Sequence, residues 1–181
     1  AENSPYMING NITVPDGQTL TIEPGVKVAF RGHYHIRVDG RVMAQGTGEE
    51  NIVFTHSNPT VLWDGLDYWE TLSTNDTSRF EYCVFEHANA VGDFPENCGG
   101  VFVVLEFSKI IIDHCLFRDN QAVDASMFQS PAGGAIALWN SDPLIQNCIF
   151  RYNSAETAAG ALFAYESSNP VISGCLFYEN E

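Results

Sequence analysis

The sequence predicts an all-β fold: a right-handed, single-stranded parallel β-helix (a solenoid) of about six coils, with three short strands in each. Three observations carry this. A phrase recurs as Cys83-Val84-Phe85, Cys115-Leu116-Phe117-Arg118-Asp119-Asn120, Cys148-Ile149-Phe150-Arg151-Tyr152-Asn153 and Cys175-Leu176-Phe177-Tyr178-Glu179-Asn180, its cysteines 32, 33 and 27 residues apart. A glycine-led apolar run precedes the later copies, as Gly100-Val101-Phe102, Gly134-Ala135-Ile136 and Gly160-Ala161-Leu162. No stretch keeps a helical period over a full window.

Taken in order, the first third alternates between β-branched strands and turns. Asn11–Val14, Thr19–Ile22, Val26–Phe30, His35–Val38, Arg41–Ala44 and Asn51–Thr55 read as strands. They are separated by turn signals such as Pro15-Asp16-Gly17, Glu23-Pro24-Gly25 and Asp39-Gly40. Hairpins would give the same local pattern, and the downstream repeats favour coils instead. There, Lys109–Ile112, Pro143–Ile145 and Pro170–Ile172 fall between the glycine-led strand and the Cys-x-Phe strand. The reading is one domain over 1–181, with regular coils over 1–55 and loop insertions over 56–181. The insertions are placed at Ser57 to Leu72, Ala88 to Cys98, Gln121 to Ala132 and Ser154 to Ala159, all on one side of the solenoid.

Stacking places like residues in columns along the axis. The Cys column (with Ile52 in the earlier coil) and the Phe column (Phe54, Phe85, Phe117, Phe150, Phe177) are two residues apart, so both point inward. The Asn120, Asn153 and Asn180 column fits a turn, where Asn bonds its neighbour and tolerates left-handed geometry. The residue between Cys and Phe then faces out. Val53, Val84, Leu116, Ile149 and Leu176 form an apolar outward stripe, covered either by the chain's own loops or by a protein partner.

The formal charge of −15, from 8 basic and 23 acidic residues, argues against nucleic acid and anionic membrane surfaces as partners. No apolar run approaches the length of a transmembrane segment, and the opening Ala1-Glu2-Asn3-Ser4 has no signal-peptide pattern. Of five cysteines, four repeat in register, which favours packing over bridging, and Cys98 lies before Gly99-Gly100. Disulfide pairing cannot be read from spacing.

The motifs resemble those of secreted and cell-surface bacterial proteins with right-handed parallel β-helix repeats, the pectate-lyase-like superfamily in the broad sense. The similarity is carried by Gly10, Val14, Gly17, Thr19–Ile22, Pro24-Gly25-Val26, Gly40, Ala44, Gly46-Thr47, Ile52, Phe54-Thr55, Trp63-Asp64-Gly65-Leu66, Tyr82-Cys83, Glu86-His87-Ala88, Gly99-Gly100 and Gly133–Ile136. It implies the fold and an extracellular or surface location. It says little about chemistry, because the fold hosts many functions.

An enzyme on this scaffold needs an Arg or Lys base beside carboxylate-held Ca²⁺, or a cluster of two or three carboxylates. Arg37, Arg41, Arg79, Arg118 and Arg151 are available as bases, but Arg118 and Arg151 share a column and read as a solvated face. Asp64, Asp67 and Glu70 offer oxygen ligands for Ca²⁺, with Asp93 and Glu96 as outer groups. The competing reading is ordinary loop carboxylates. Tyr68 and Trp69 in the same stretch are candidates for ligand or partner contact. His56 and His87 stack without an evident third metal ligand, and His33 and His35 share a strand face.

The expectation is a non-catalytic extracellular or cell-surface structural module. It would require no cofactor, with Ca²⁺ compatible, and would mediate assembly or adhesion through self-association or other surface proteins. Glycans are the other partner class, through a carbohydrate-active enzyme or carbohydrate-binding module. Because the sequence stops at Glu181 straight after a full phrase, it reads as part of a longer solenoid or as an end that stacks on another subunit, building filaments.

Overall fold

A computed structural model describes residues 4–92, 94–123 and 131–181. Ala1–Asn3, Asp93 and 124–130, most of the third expected insertion, lie outside the described residues. The chain winds as a parallel β-helix. Sheet 1 stacks Tyr6–Ile8, Lys27–Phe30, Ile52–His56, Cys83–Glu86, Leu116–Arg118, Ile149–Arg151 and Leu176–Tyr178. Sheet 2 stacks Ile12–Val14, Ile36–Val38, Leu66–Tyr68, Phe102–Leu105, Ile136–Trp139 and Leu162–Tyr165. Sheet 3 stacks Thr19–Ile22, Arg41–Gln45, Ser78–Glu81, Ile110–Asp113, Leu144–Gln146 and Val171–Ser173. Six coils result, each with one strand per sheet, and a seventh strand of sheet 1 follows.

The register puts identical side chains over one another. Phe54, Phe85, Phe117 and Phe150 align, and all are fully buried. Their rings stack, tightest between Phe117 and Phe150 at 4.6 Å and 4°. Offset stacking adds about 0.5–1.5 kcal/mol per pair to the burial of each ring. Ile52 aligns with Cys83, as expected. All five cysteines are thiols. In the column, each Sγ faces the carbonyl two residues before it, as in Cys148 to Gln146 O at 3.1 Å. This satisfies a carbonyl at the corner between sheets 3 and 1.

Corners differ in what they permit. From the third coil on, sheet 3 passes to sheet 1 through one left-handed residue: Tyr82, His114, Asn147 or Gly174, with φ of 49°, 51°, 54° and 63°. Sheet 1 turns out through His87, Asp119, Tyr152 or Glu179, also left-handed. The left-handed residue is therefore the one before the Asn column, not the Asn itself. Asn120 and Asn153 sit just inside the corner, buried, with their amides bonded between coils.

After that corner a small fourth sheet forms from Asn89–Ala90, Gln121–Ala122 and Ser154–Ala155. The expected insertions thus begin with a short paired strand. The segment Ser57 to Leu72 is likewise not all loop, because Leu66–Tyr68 is its coil's strand in sheet 2. At the entry to sheet 2, Gly100 and Gly134 press against the next coil. A Cβ on Gly134 would lie 2.2 Å from Gly160 O.

Candidate functional site

Functional side chains gather on two surfaces. The first is the outer side of sheet 2, where Arg37 pairs with Asp67 and Asp67 with Val103 across three coils. Alternation along Ile36–Val38 turns Arg37 outward, and His33 and His35 share its side. His33 Nδ1 lies 2.9 Å from Asp64 Oδ1, and His35 Nδ1 lies 3.6 Å from Asp67 Oδ2. Arg37 reaches Asp39 through Nε at 2.8 Å, contacts Glu70 through Nη2, and lies over the Trp69 ring at 5.9 Å.

Asp67 is buried, at 4% exposure. Its carboxyl is pushed up to about 8, first by burial and then by the charges of Glu96 and Asp64, with Arg37 pulling the other way. Asp67 therefore carries a proton at neutral pH. Burial also raises Asp64, against the hydrogen bond from His33, and burial lowers His35.

The candidate Ca²⁺ ligands separate accordingly. Asp64 and Asp67 join one mixed cluster with the histidines, whereas Glu70 is exposed and held by Arg37. Glu96 acts on the cluster by its charge, and Asp93 lies outside the described residues. Among the described residues no three His, Cys, Asp or Glu side chains gather as ligands for one metal ion.

Tyr68, expected at a ligand or partner contact, is buried instead. Strand alternation places it inward, in the column of Val104 and Leu138, fully buried and stacked on Phe107 at 5.8 Å. It is a core residue with no surface for a ligand. Trp69 is half-buried against Arg37.

The remaining basic candidates are engaged. Arg41 donates to Thr77 O at 3.0 Å, Arg79 faces Glu81 at 3.5 Å, and Arg151 donates to Tyr178 Oη at 3.3 Å. Arg118 donates to Glu86 Oε2 through Nε at 2.9 Å and also through Nη2. The column thus reads Glu86, Arg118, Arg151, with a carboxylate above the two arginines that the sequence reading did not place there. The His56 and His87 rings lie 4.6 Å apart, tilted by 34°; burial first, and then His87, lowers His56.

The second surface runs across sheets 3 and 1. From the third coil on, one left-handed residue turns this corner, so the outer sides of the two sheets adjoin along it. It carries two apolar columns. One is Val53, Val84, Leu116, Ile149 and Leu176, half-exposed in the earlier coils and 39% and 54% exposed at Ile149 and Leu176. The other is Ile111, Leu144 and Val171. Between them lies a polar strip of paired groups. Asp113 accepts from Gln146 Nε2 at 2.9 Å and Asn147 Nδ2 at 3.0 Å, and Tyr82 stacks on His114 at 4.8 Å.

Sequence reasoning found the stripe and named most members of the acidic cluster, but not their convergence. The available signal was spacing and register: His33, His35 and Arg37 fall two residues apart leading into one strand, and Asp67 falls opposite Arg37 one coil later.

No helix among the described residues is long and apolar enough to cross a membrane. No curated protein and no solved structure matches the chain. A family model for a right-handed β-helix region matches residues 71–181, well over half of the chain. On the stacked parallel sheets, the in-register ladders and this match, the chain belongs to the right-handed β-helix family.

Proposed function

We propose that the protein is a non-catalytic structural module that self-associates through the adjoining outer sides of sheets 1 and 3. The carrying observation is the pair of apolar columns left open on that face. Charge supports the choice. From Arg79 onward, Arg79, Arg118 and Arg151 on this face balance Glu81, Glu86 and Asp113, in a chain of net charge −15. This is where a second acidic copy can approach with least repulsion. A second copy offers the same columns at the same strand repeat of about 4.8 Å, so an isologous pairing can interdigitate them.

The groups an enzyme would need on sheet 2 are paired with one another or buried, which favours this reading over carbohydrate catalysis. An extracellular or surface location is part of the same proposal, on the family resemblance of the motifs, and cell fractionation tests it.

Sedimentation and electron microscopy of the purified chain test the assembly. Wild type should form dimers or filaments, and Leu116→Lys with Ile149→Lys should return it to folded monomer, checked by circular dichroism. A strict monomer at high concentration, or a monomer that cleaves or binds acidic glycans, would overturn the proposal.

A further inference from the structure

We propose that Phe94–Cys98 is a pH-sensitive strap over the outer side of sheet 2, one that loosens as pH rises through the neutral range and uncovers an apolar patch beneath it. Asp67, Val103 and Ala137 follow one another in register along an outward column of that sheet. Outward side chains of a solenoid meet solvent unless something lies over them. These three residues are at 4%, 2% and 0% exposure. The cover is the segment that leads into Gly99-Gly100. Cys98 packs with Val103, Ala137 and Trp139. The Phe94 ring meets the Trp139 ring edge-on at 5.1 Å. Between those two contacts, the Glu96 charge reaches Asp67, Asp64 and His35.

The ground under the strap suits a neutral Asp67 and not an ionised one. Among the described residues no group donates a hydrogen bond to its carboxyl, and His35 Nδ1 stands 3.6 Å away. A carboxylate held there is buried without donors to replace water. The groups that face it come from each neighbouring element. Arg37 and His35 lie on the coil before, and Arg37 is already shared between Asp39 and Glu70. Asp64 precedes it on its own segment and is engaged by His33. Val103, on the coil after, brings no charge. Glu96 comes from the strap. An ionised Asp67 thus sits under one like charge and beside another, and lifting the strap gives all three to water.

Burial first, and then Glu96 and Asp64, push the Asp67 carboxyl up to about 8. The closed strap therefore holds a proton that the open one releases. Closure is fully favoured below the ordinary carboxylate range and weakens by at most about tenfold per pH unit until about pH 8. His35 acts in the opposite sense, since burial lowers it and its protonation favours the open form. That effect is confined to pH below about 6.5. The interval from pH 7 to 8 isolates the carboxylate.

Cys98, at 1% exposure beneath the strap, reports its opening, and Cys115, at 2% exposure inside the solenoid, reports unfolding of the coils. The intact folded chain is treated with iodoacetamide at pH 7 and pH 8, and the sites are read by peptide mass and fragmentation. Cys98 should react about tenfold or more faster than Cys115, because local opening is more frequent than global unfolding. Asp67→Asn cannot ionise, so dividing the wild-type rate by the variant's removes the thiol's own pH dependence. That ratio at Cys98 should rise about fivefold from pH 7 to 8. If Asp67→Asn does not fold, Glu96→Gln, at an exposed position, takes its place, and the ratio should rise by a smaller factor. A Cys98 rate no faster than that of Cys115, or a ratio that stays constant between the two pH values, would overturn the inference.

Discussion

Asn120 directs two donors at a single atom of Asn153. Its backbone N–H at 3.2 Å and its Nδ2 at 2.9 Å both reach Asn153 Oδ1, and Asn153 Nδ2 in turn reaches Phe117 O at 3.1 Å. Both residues are essentially without solvent access. Asn153→Ala would leave these partners buried and unpaired. The expected loss is on the order of 3 kcal/mol, read as a lower denaturant midpoint. A shift within the error of wild type would show that water replaces the amide.

Phe117 is clamped between Phe85 at 5.0 Å and Phe150 at 4.6 Å. Removing its ring opens a void that stacked coils cannot close, because each strand spacing is fixed by its hydrogen bonds. Phe117→Ala should cost about 3–5 kcal/mol, by the same measurement.

At Gly134 a methyl group would meet backbone on two sides, Gly160 O at 2.2 Å and Ser154 O at 2.4 Å. Neither neighbour is a flexible side chain. Gly134→Ala should therefore destabilise the protein by several kcal/mol (about 3 or more) and increase amide exchange in both adjoining coils. Wild-type protection in hydrogen exchange would refute this.

Asp67 makes stability depend on pH. Its folded value of about 8 lies above the ordinary carboxylate value, so the folded state holds a proton that the unfolded chain releases. The contribution is fully present below about pH 4 and is lost as pH rises through about 8, at roughly 1.4 kcal/mol per unit in that window. Asp64, raised by the same burial, adds slope of the same sign. Asp67→Asn should flatten the profile and be more stable than wild type at pH 8. Unfolding midpoints from pH 4 to 9 decide it, and parallel wild-type and variant profiles would refute it.

The columns of Cys, Phe and Asn were legible because stacking forces equal positions to solve the same packing problem, so identity repeats in register. The stretch from Trp63 to Glu70 was not. Its strand in sheet 2 is three residues long, Leu66–Tyr68, with the Asp67 carboxyl group facing outward at its centre. So short a strand leaves too little alternation to distinguish from a loop, and Tyr68 passed for a surface aromatic. The proton on Asp67 was also hidden, because it depends on burial of the side chain and on Glu96 and Asp64 lying near it in space. The stripe from Val53 to Leu176 was legible because it follows from the alternation around Cys and Phe.

The one-residue corners at Tyr82, His114 and Asn147 also set where this chain tolerates changes in length. An insertion or deletion there would shift the following strand by one and exchange inside for outside until compensated. After Ala90 or Ala122 an insertion enters a connecting segment, at a closure cost that grows only slowly with length. Related chains can therefore diverge in length along one edge while the face across sheets 3 and 1 stays in step, coil after coil.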